Sequence, residues 1–479
     1  MLSPRSFLRN LSLMVVMRLV SAAMAFTLFW YIARVWGAER LGAFALLFAI
    51  SVFCQQLPLL GLHIPLIREV ATDAPLAATR NSTLALLALL VSLVVGILVV
   101  IMGMNLYPSD MHASFWLVGA AMLPTAWTAV AEAILTGQQR MHLIARVNLA
   151  ESVLRVALSF AVIGAGMGLT ALFAVFLACR ACAAGGYFYL GPWPAIRMRH
   201  ARIRTLWQYV AELPVYGGIH FLAALLGKLD VFALSLMLGL AELGLYASAL
   251  KIYEVALMAP SVLAMVLFPA FSRAATAAES DFQRLYRQTF FWGCVASLPC
   301  AVAIACLAGA IVSGLFGSGY LGAANVLQVL ILTVVLVGMN QTLALLLLAK
   351  KAPELDLRAL AAALVALFAL LALLVPRFGY LGAAWAVAGS TLVQLVFHAS
   401  MAARRFGATG LFVPLIRPVA GAAAMAAVMM LLRDSSPLLA LVAGFLTYGI
   451  ALAAMGTLNP RNLSALVAML RHARENGRG

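Results

Sequence analysis

Fourteen stretches of mainly apolar residues, each about 20 residues or longer, follow one another along this chain of 479 residues. A helix of that length spans the roughly 30 Å hydrocarbon layer of a bilayer. The stretches cover residues 7–35, 38–62, 81–104, 112–136, 141–167, 169–192, 208–239, 243–272, 283–315, 322–349, 355–376, 380–402, 412–433 and 436–457. Hydrophobic residues make up 65% of the chain and charged residues 10%, which excludes a soluble globular domain. We therefore predict an all-α polytopic membrane protein with about fourteen transmembrane helices.

The basic residues fall mainly on one side of the predicted membrane. If the N-terminus is cytoplasmic, most of the 32 Lys and Arg residues lie in the tails, the inward-facing joints and the adjoining helix ends. The joints on the other side of the membrane hold Arg34, Arg40, Arg377 and Arg433. The positive-inside rule therefore predicts that both termini are cytoplasmic. This topology accounts for the net charge of +16, so we expect no nucleic-acid partner.

An internal repeat relates the two halves of the chain. Gly37-Ala-Glu-Arg-Leu-Gly42-Ala-Phe-Ala follows the first stretch, and Gly239-Leu-Ala-Glu-Leu-Gly244-Leu-Tyr-Ala follows the seventh, 202 residues later. Both segments read Gly-x-x-x-Leu-Gly-x-aromatic-Ala. Parallel repeats of this kind are a transporter architecture in which the substrate site lies between the halves.

The repeat predicts two lobes of six helices each, at residues 1–192 and 208–402. Residues 403–479 add helices 13 and 14 and a basic tail. The joint at residues 193–207 is rich in arginine and falls where the lobes should meet. Two interpretations of this joint stay open: an amphipathic helix on anionic lipid headgroups, or a linker that enforces the topology.

No motif indicates a cofactor, a metal site or an enzyme. Cys179 and Cys182 have the Cys-x-x-Cys spacing, but they lie within an apolar stretch, and no second Cys or His pair with ligand spacing is present. We expect this pair to serve helix packing. Phosphate-binding Gly-x-x-x-x-Gly-Lys and zinc-binding His-Glu-x-x-His motifs are missing from the sequence, and the predicted periplasmic joints are short. A membrane transporter is therefore favoured over a ligase or polymerase acting on lipid-linked glycans.

Several segments resemble one family of transporters. They are Arg9-Asn-Leu-Ser12, Ala33-Arg-Val-Trp-Gly37 with the Leu-Gly-Ala-Phe-Ala that follows, Asp230, Leu234-Ser235, Gly239, Gly244-Leu-Tyr-Ala247 and Lys251. These segments resemble the polysaccharide biosynthesis, or O-antigen flippase, family of the multidrug/oligosaccharidyl-lipid/polysaccharide (MOP) exporter superfamily. The resemblance covers most of the chain and includes the number of helices.

The resemblance implies a bacterial inner-membrane flippase with a V-shaped cleft between its lobes. The implied substrate is an undecaprenyl-diphosphate-linked oligosaccharide, moved to the periplasmic leaflet for O-antigen, exopolysaccharide or capsule assembly. Partners that fit this function are the lipid bilayer, H⁺ or Na⁺ as coupling ion, a polysaccharide polymerase and a chain-length regulator. A diphosphate and its sugars need a polar and locally cationic path through the hydrocarbon layer.

Ten ionisable residues inside the predicted spans are the candidates for this path. The cations are Arg18, Arg155, Arg180, Lys228 and Lys251, and the anions are Glu132, Glu151, Glu212, Asp230 and Glu254. A charge left in lipid at mid-depth costs about 2.5–3.5 kcal/mol, so most of these side chains should face the protein interior.

Spacing along the helices separates some of these residues. Glu151 and Arg155 are four residues apart, so we expect an ion pair on one helix face. For Lys251, three residues before Glu254, a packing pair and a substrate contact are both open. Lys228 and Asp230 are two residues apart and would point in opposite directions on a continuous helix.

Arg18 is the leading candidate for contact with the substrate diphosphate. It has no acid three or four residues away, and the repeat places it opposite His220 in the second lobe. The planar guanidinium suits phosphate because it donates two parallel hydrogen bonds. The alternative is a salt bridge to another helix.

The substrate-binding candidates are thus Arg18, Lys228, Lys251, His220, Arg155 and Arg180. Asp230, Glu212 and Glu132 are the candidates for binding a coupling ion, or they are structural counter-ions. Two competing transport functions stay open from sequence: a multidrug cation exporter and a peptidoglycan-precursor flippase of the same superfamily. The first should have an acidic lumen without these cations.

Overall fold

A computed structural model describes residues 4–71, 77–190, 217–274, 279–407, 410–432 and 436–457. All regular elements in these ranges are helices. The α-helices of the first half are α1 Pro4–Cys54, α2 His63–Ala71, α3 Ala77–Leu106, α4 Ser109–Ala120, α5 Met122–Gly137, α6 Met141–Gly164, α7 Leu169–Leu190, α8 Gly218–Leu226 and α9 Leu229–Met237. Those of the second half are α10 Leu240–Ala256, α11 Met258–Ala274, α12 Glu279–Cys306, α13 Ala308–Phe316, α14 Ala323–Ala349, α15 Pro353–Phe406, α16 Ile416–Leu432 and α17 Pro437–Ala454.

The described helices account for about fourteen membrane crossings. Eleven helical segments of the described residues are long and apolar enough to cross a membrane, and α8 with α9 form a further span bent by 45°. Both α1 and α15 contain two helices joined at a glycine, Gly37 and Gly379 respectively. A straight helix of the 54 residues of α15 would extend about 80 Å, more than twice the hydrocarbon thickness, so α15 crosses twice. The predicted all-α polytopic fold is confirmed.

The glycines of the sequence repeat mark these joints. Gly37 has φ 76° and Gly239 has φ 104°, and Gly166 and Gly379 have φ 72° and 58°. A side chain at such positive φ would bring Cβ against the following carbonyl group, so glycine is the residue that fits. The repeat therefore encodes the places where one helix ends and the next begins.

Prolines explain two further interruptions. The sequence predicted single spans at 112–136 and 243–272, but the first is broken at Ala121 and the second at Leu257. Pro124 and Pro260 each lie three residues after the break. A proline lacks the N–H that would bond the carbonyl of the preceding turn, and its ring crowds that turn.

The chain divides into two compact units, Arg9–Gly244 and Leu245–Gly479, the latter together with Met1–Leu8. We call them the N-unit and the C-unit. The lobe boundaries predicted from the repeat stay a prediction, and the joint at residues 193–207 lies outside the described residues.

Aromatic packing and close glycine contacts hold the N-unit together. Phe44 of α1 contacts Phe173 and Phe176 of α7, with ring centroids 6.0 and 6.1 Å apart. On the neighbouring helices, Gly96 of α3 and Gly119 of α4 meet at their backbones: a Cβ on either would lie 2.7 Å from the carbonyl oxygen of the other. Small residues at such crossings let membrane helices approach closely.

The repeated glycines Gly42 and Gly244 also mark a helix crossing within the N-unit. A Cβ on Gly42 would overlap the carbonyl oxygen of Leu240, and a Cβ on Gly244 would overlap that of Ala38. Ala38 and Leu240 are themselves equivalent in the repeat, so the contact is pseudo-symmetric. A side chain on either glycine would push the second arm of α1 and the start of α10 apart.

The C-unit is built around α12, α14 and α15. Phe282, Tyr286 and Phe290 of α12 pack with Leu343 and Leu347 of α14 in one buried cluster. The two arms of α15 pack against each other, because a Cβ on Gly382 would overlap the carbonyl group of Leu374.

Large apolar side chains cover the outside of both units. In α3, Leu90, Val94, Ile97 and Ile101 recur at helical spacing and are each about half exposed or more. In α15, Phe368 is 67% exposed. Contiguous exposed apolar surface of this kind is stable in hydrocarbon and unstable in water, which agrees with the membrane assignment.

Candidate functional site

Three charged side chains, one buried and two partly buried, form the centre of the polar interior of the N-unit. Glu151 of α6 accepts a hydrogen bond from Arg155 of the same helix at 3.2 Å and one from Arg180 of α7 at 3.1 Å. The ion pair between Glu151 and Arg155 confirms the prediction from their spacing. The side chain of Glu151 is 6% exposed, and those of Arg155 and Arg180 are 28% and 20% exposed. Two cations on one anion leave this cluster with a formal charge of +1.

Neutral polar groups complete the coordination of Arg180. Its Nε–H donates to Oγ1 of Thr125 at 3.2 Å, and one Nη donates to Oε1 of Gln55 at 3.4 Å. The guanidinium is therefore held from three directions. Arg155 instead lies over the ring of Phe176, 5.3 Å from its centroid.

A small cleft opens beside these arginines. Its volume is about 40 Å³, enough for a few water molecules, and Gln55, Thr125, Glu151, Arg155 and Arg180 line its polar side. A guanidinium next to such a cleft can donate a hydrogen bond to an anionic oxygen without first breaking its own ion pair.

A second polar cluster lies two helical turns further along α5 and α7. Oε1 of Glu132 accepts hydrogen bonds from the Tyr187 hydroxyl at 2.9 Å and from Nδ2 of Asn148 at 3.1 Å. Thr125 and Glu132 are seven residues apart on α5, and Arg180 and Tyr187 are seven apart on α7. Seven residues are about two turns, or roughly 10 Å, so each helix contributes to both clusters on one face. The N-unit thus has a polar track along its interior.

Lys228 and Asp230 do not lie on one continuous helix, so helical spacing does not determine their relative directions. The bent span is interrupted between α8 and α9, and Lys228 sits at the interruption with φ −140°. Asp230 is buried in the first turn of α9, where its Oδ1 accepts a hydrogen bond from the backbone N–H of Val231 at 2.9 Å. An acid is stabilised at a helix N-terminus by the helix dipole.

His220 and Lys251 each contact a partner. His220 of α8 packs edge-on against His63 of α2, with ring centroids 4.9 Å apart. In the C-unit, Lys251 donates to Oε2 of Glu254 at 3.1 Å. The packing pair left open by the sequence is therefore present. This ion pair does not test a role in substrate binding.

Two predicted residues cannot be placed. The side chain of Arg18 and the whole of Glu212 lie outside the described residues. In the described part of the chain, no group of three or more His, Cys, Asp or Glu residues could hold a metal ion.

The C-unit contains a larger and mainly apolar cavity. Its volume is about 490 Å³, and it lies between α11, α12 and α14. Pro260, Leu263, Trp292 and Ile331 are among its lining residues. Gln341 is a polar exception: its Nε2 donates to Ser261 Oγ at 3.4 Å, while its Oε1 has no hydrogen-bond partner among the described residues. A cavity of this composition suits the apolar part of an amphipathic molecule.

Sequence reasoning missed the uncharged members of the polar track. Gln55, Thr125, Asn148 and Tyr187 were not candidates because the residues chosen for the substrate path were charged residues and His220. A signal was present: Thr125 and Arg180 each have a polar residue seven positions later, a spacing that places both on one helix face. In an apolar helix, such a pair indicates a polar interior face.

Transporters of the MOP superfamily share this fold. The lipid II flippase MurJ in its inward closed conformation is 14% identical, with a TM-score of 0.74 over 92% of this chain and 98% of that chain. An inward-facing multidrug resistance MATE family transporter is 16% identical, with a TM-score of 0.66 over 82% and 98%. A MOP superfamily transporter from Pyrococcus furiosus is also 16% identical, with a TM-score of 0.58 over 85% and 97%. No significant match is found among curated protein sequences.

The helices and these similarities define a polytopic membrane protein with the fold of MOP superfamily transporters. The family is identified from the sequence. The family described as polysaccharide biosynthesis protein matches residues 31–325, more than half of the chain, and the chain belongs to it.

Proposed function

We propose that this protein is a flippase for oligosaccharides linked to undecaprenyl diphosphate. It moves the repeat unit from the cytoplasmic to the periplasmic leaflet of the bacterial inner membrane by alternating access, for O-antigen, exopolysaccharide or capsule assembly. The observation that carries the proposal is the partly buried cluster of Arg155, Arg180 and Glu151, with its charge of +1, in a member of the polysaccharide biosynthesis family.

The polar track of the N-unit and the apolar cavity of the C-unit match different parts of the substrate. Diphosphate oxygens form charge-assisted hydrogen bonds with guanidinium groups, worth about 1.5–3 kcal/mol each in a buried site. Sugar hydroxyls can exchange hydrogen bonds with Gln55, Asn148 and Tyr187 along the track. The apolar cavity of the C-unit offers surface to a segment of the prenyl tail, most of which stays in lipid.

The cationic cluster argues against a multidrug cation exporter, because a net positive charge inside the protein repels organic cations. A peptidoglycan-precursor flippase would share the need to bind a diphosphate, so it remains the second candidate, supported by the fold similarity to MurJ. We further propose that the protein is not an enzyme, that both termini are cytoplasmic, and that a polymerase and a chain-length regulator act with it.

Reconstitution in liposomes tests the proposal. Fluorescent undecaprenyl-diphosphate oligosaccharide is placed in the membrane, and a glycosidase added outside measures how fast the inner-leaflet molecules reach the outer leaflet. We expect rapid exposure with the oligosaccharide substrate, slower exposure with lipid II, and no transport of ethidium. Faster flipping of lipid II would establish the second candidate, and ethidium export without flipping would overturn the proposal.

Deletion of the gene tests the proposal in cells. We expect loss of the surface polysaccharide and accumulation of lipid-linked repeat units that remain inaccessible from the periplasm. A normal surface polysaccharide in the deletion strain would contradict the proposal.

A further inference from the structure

A row of hydrogen-bonding groups is buried in the C-unit between α14 and the two arms of α15. His398 of the second arm is fully buried. Its Nδ1 lies 2.9 Å from Oδ1 of Asn340 on α14, and its Nε2 lies 3.0 Å from Oδ1 of Asp356 on the first arm. Asn340 in turn donates from Nδ2 to the backbone carbonyl of Thr391 at 3.1 Å. The row therefore runs Thr391, Asn340, His398, Asp356.

The carbonyl at one end of the row fixes the direction of every bond after it. A backbone carbonyl accepts and never donates, so the amide nitrogen of Asn340 must face Thr391. The opposite orientation of the amide would bring two carbonyl oxygens together in a buried place. The oxygen of Asn340 therefore faces His398, and Nδ1 of His398 must carry a hydrogen to donate to it.

The hydrogen on Nδ1 determines whether Nε2, on the other side of the ring, can donate. A neutral imidazole has one N–H, and Nδ1 already uses it. Nε2 would then present a lone pair to the carboxylate of Asp356, and two acceptors would face each other at 3.0 Å. A hydrogen bond forms when one more proton is present, either on Nε2 or on the carboxyl group of Asp356.

We infer that His398 and Asp356 form a proton-binding site, and that this conformation of the C-unit holds one proton there. Loss of the proton would leave two acceptors facing each other, one of them on the fully buried His398, which destabilises the contact between the two arms of α15 and α14. The proton is thus a ligand of this conformation, and any step that leaves the conformation favours its release. As pH rises, proton loss disfavours this conformation; as pH falls, proton binding favours it.

Apolar side chains flank His398, and the charged residues nearby lie at the helix ends. Leu395 and Ala402 flank His398 on α15, and both belong to the buried apolar cluster. The titratable side chains of that cluster are Tyr286 and Cys294, both on α12. Charged residues near the C-terminus of α14 and the two ends of α15 are Lys350, Lys351, Glu354, Arg358, Arg404 and Arg405. Lys350, which follows α14, lies over the ring of Phe282, 4.4 Å from its centroid, and the other five are exposed.

Asp356 provides the connection to solvent, since its side chain is 20% exposed whereas that of His398 is not exposed. Asp356 lies in the first turn of α15, so a proton can reach the pair at the helix end. In transport, this pair supplies a proton-coupling site in addition to the candidates Asp230, Glu212 and Glu132. That consequence rests on the proposed function, while the proton itself rests on the hydrogen-bond geometry alone.

Spectroscopy on the purified full-length protein in nanodiscs tests the proton directly. Nitrogen NMR of ¹⁵N-histidine protein, with His398 identified by its absence in His398→Gln or by its shift in Asp356→Asn, reports both ring nitrogens. Infrared spectroscopy reports a protonated carboxyl group. At neutral pH we expect either a doubly protonated His398 or a carboxylic acid band that disappears in Asp356→Asn. A singly protonated His398 with no such band would overturn the inference.

Transport measurements test the coupling separately. An asparagine at position 356 donates an N–H to neutral Nε2, so Asp356→Asn mimics the proton-loaded site and should remove the pH dependence of flipping. Glu354→Gln, an exposed acid on the same turn, is the matched control and should keep it. A wild-type pH profile in Asp356→Asn would overturn the coupling role. No flipping by the wild-type protein would instead refute the proposed function and leave the spectroscopic result standing.

Discussion

Replacing Glu151 by glutamine should destabilise the N-unit more than any comparable change of a carboxylate on its surface. Glutamine has nearly the same shape, so the packing is kept. The charge of the cluster rises from +1 to +2, because Arg155 and Arg180 lose the anion that both contact. Glu151 is buried, with a side chain 6% exposed. Breaking a buried ion pair by removing one partner destabilises by roughly 3–5 kcal/mol.

Thermal unfolding of the detergent-solubilised protein measures this effect. The matched control is Glu39→Gln, which removes an exposed acid of the same unit and should change stability by less than about 0.5 kcal/mol. Glu151→Gln combined with Arg155→Gln restores the charge of +1, so it should recover part of the lost stability. Equal unfolding temperatures of Glu151→Gln and the Glu39→Gln control would refute the reasoning.

A companion change separates stability from transport. Arg180→Gln leaves a neutral pair of Glu151 and Arg155, so the protein should still be expressed and inserted. The cluster beside the cleft loses its net charge of +1. Polysaccharide export should fall about tenfold or more if one charge-assisted hydrogen bond to phosphate is lost. Normal export by a stably expressed Arg180→Gln protein would show that the cluster is structural.

Three further predictions concern the backbone crossing, the central cations and the topology. Gly42→Ala should lower stability or flipping, because its Cβ overlaps a carbonyl group of the facing helix, whereas Gly185→Ala, with open space around it, should not; equal thermal stability and flipping rates in the two variants would contradict this. An Arg18→Ala, Lys228→Ala double mutant should be expressed but should not export polysaccharide, and normal export would remove both residues from the substrate site. Fluorescent reporters that fold only in the cytoplasm should light up at residues 193–207 and at the C-terminus, and a dark signal at either would overturn the topology.

Hydrophobicity alone was sufficient to predict the class of fold, because a bilayer forces each crossing to be a long apolar helix. The limits of this reasoning appear inside the spans. Hydrophobicity averaged over a window does not register a helix interruption of one residue. The breaks at Ala121 and Leu257 are indicated instead by Pro124 and Pro260, because a proline kinks a helix. Backbone interruptions depend on single residues, whereas membrane crossing depends on the sum over about twenty.

The candidate site was predictable where two partners lie on one helix. Glu151 with Arg155, and Lys251 with Glu254, follow from spacing. Arg180 could not be assigned to Glu151 in the same way, because the two residues lie on different helices and 29 positions apart in sequence. Partners on different helices depend on the rotation of each helix about its axis, which sequence periodicity determines weakly when apolar residues surround the whole helix.

The repeat also separates what the two halves share from what they do not. The shared features are backbone features: Gly37 and Gly239 both adopt positive φ, and Gly42 and Gly244 both meet a carbonyl group of the facing helix. A side chain is disfavoured by positive φ at the first pair and by overlap with a carbonyl group at the second, so glycine suits all four positions.

The charged chemistry does not follow the repeat. Gly166 and Gly379 relate the later helices of each half by 213 positions, and at that offset the positions of Arg155 and Arg180 are occupied by Phe368 and Val393 in the second half. In the other direction, the position of His398 corresponds to Gly185. Because a buried charge is unstable without its partners, a cluster can persist in one half only if every partner is there as well. The two halves therefore share backbone features, whereas the cluster of Glu151, Arg155 and Arg180 belongs to the first half and the pair of Asp356 and His398 to the second.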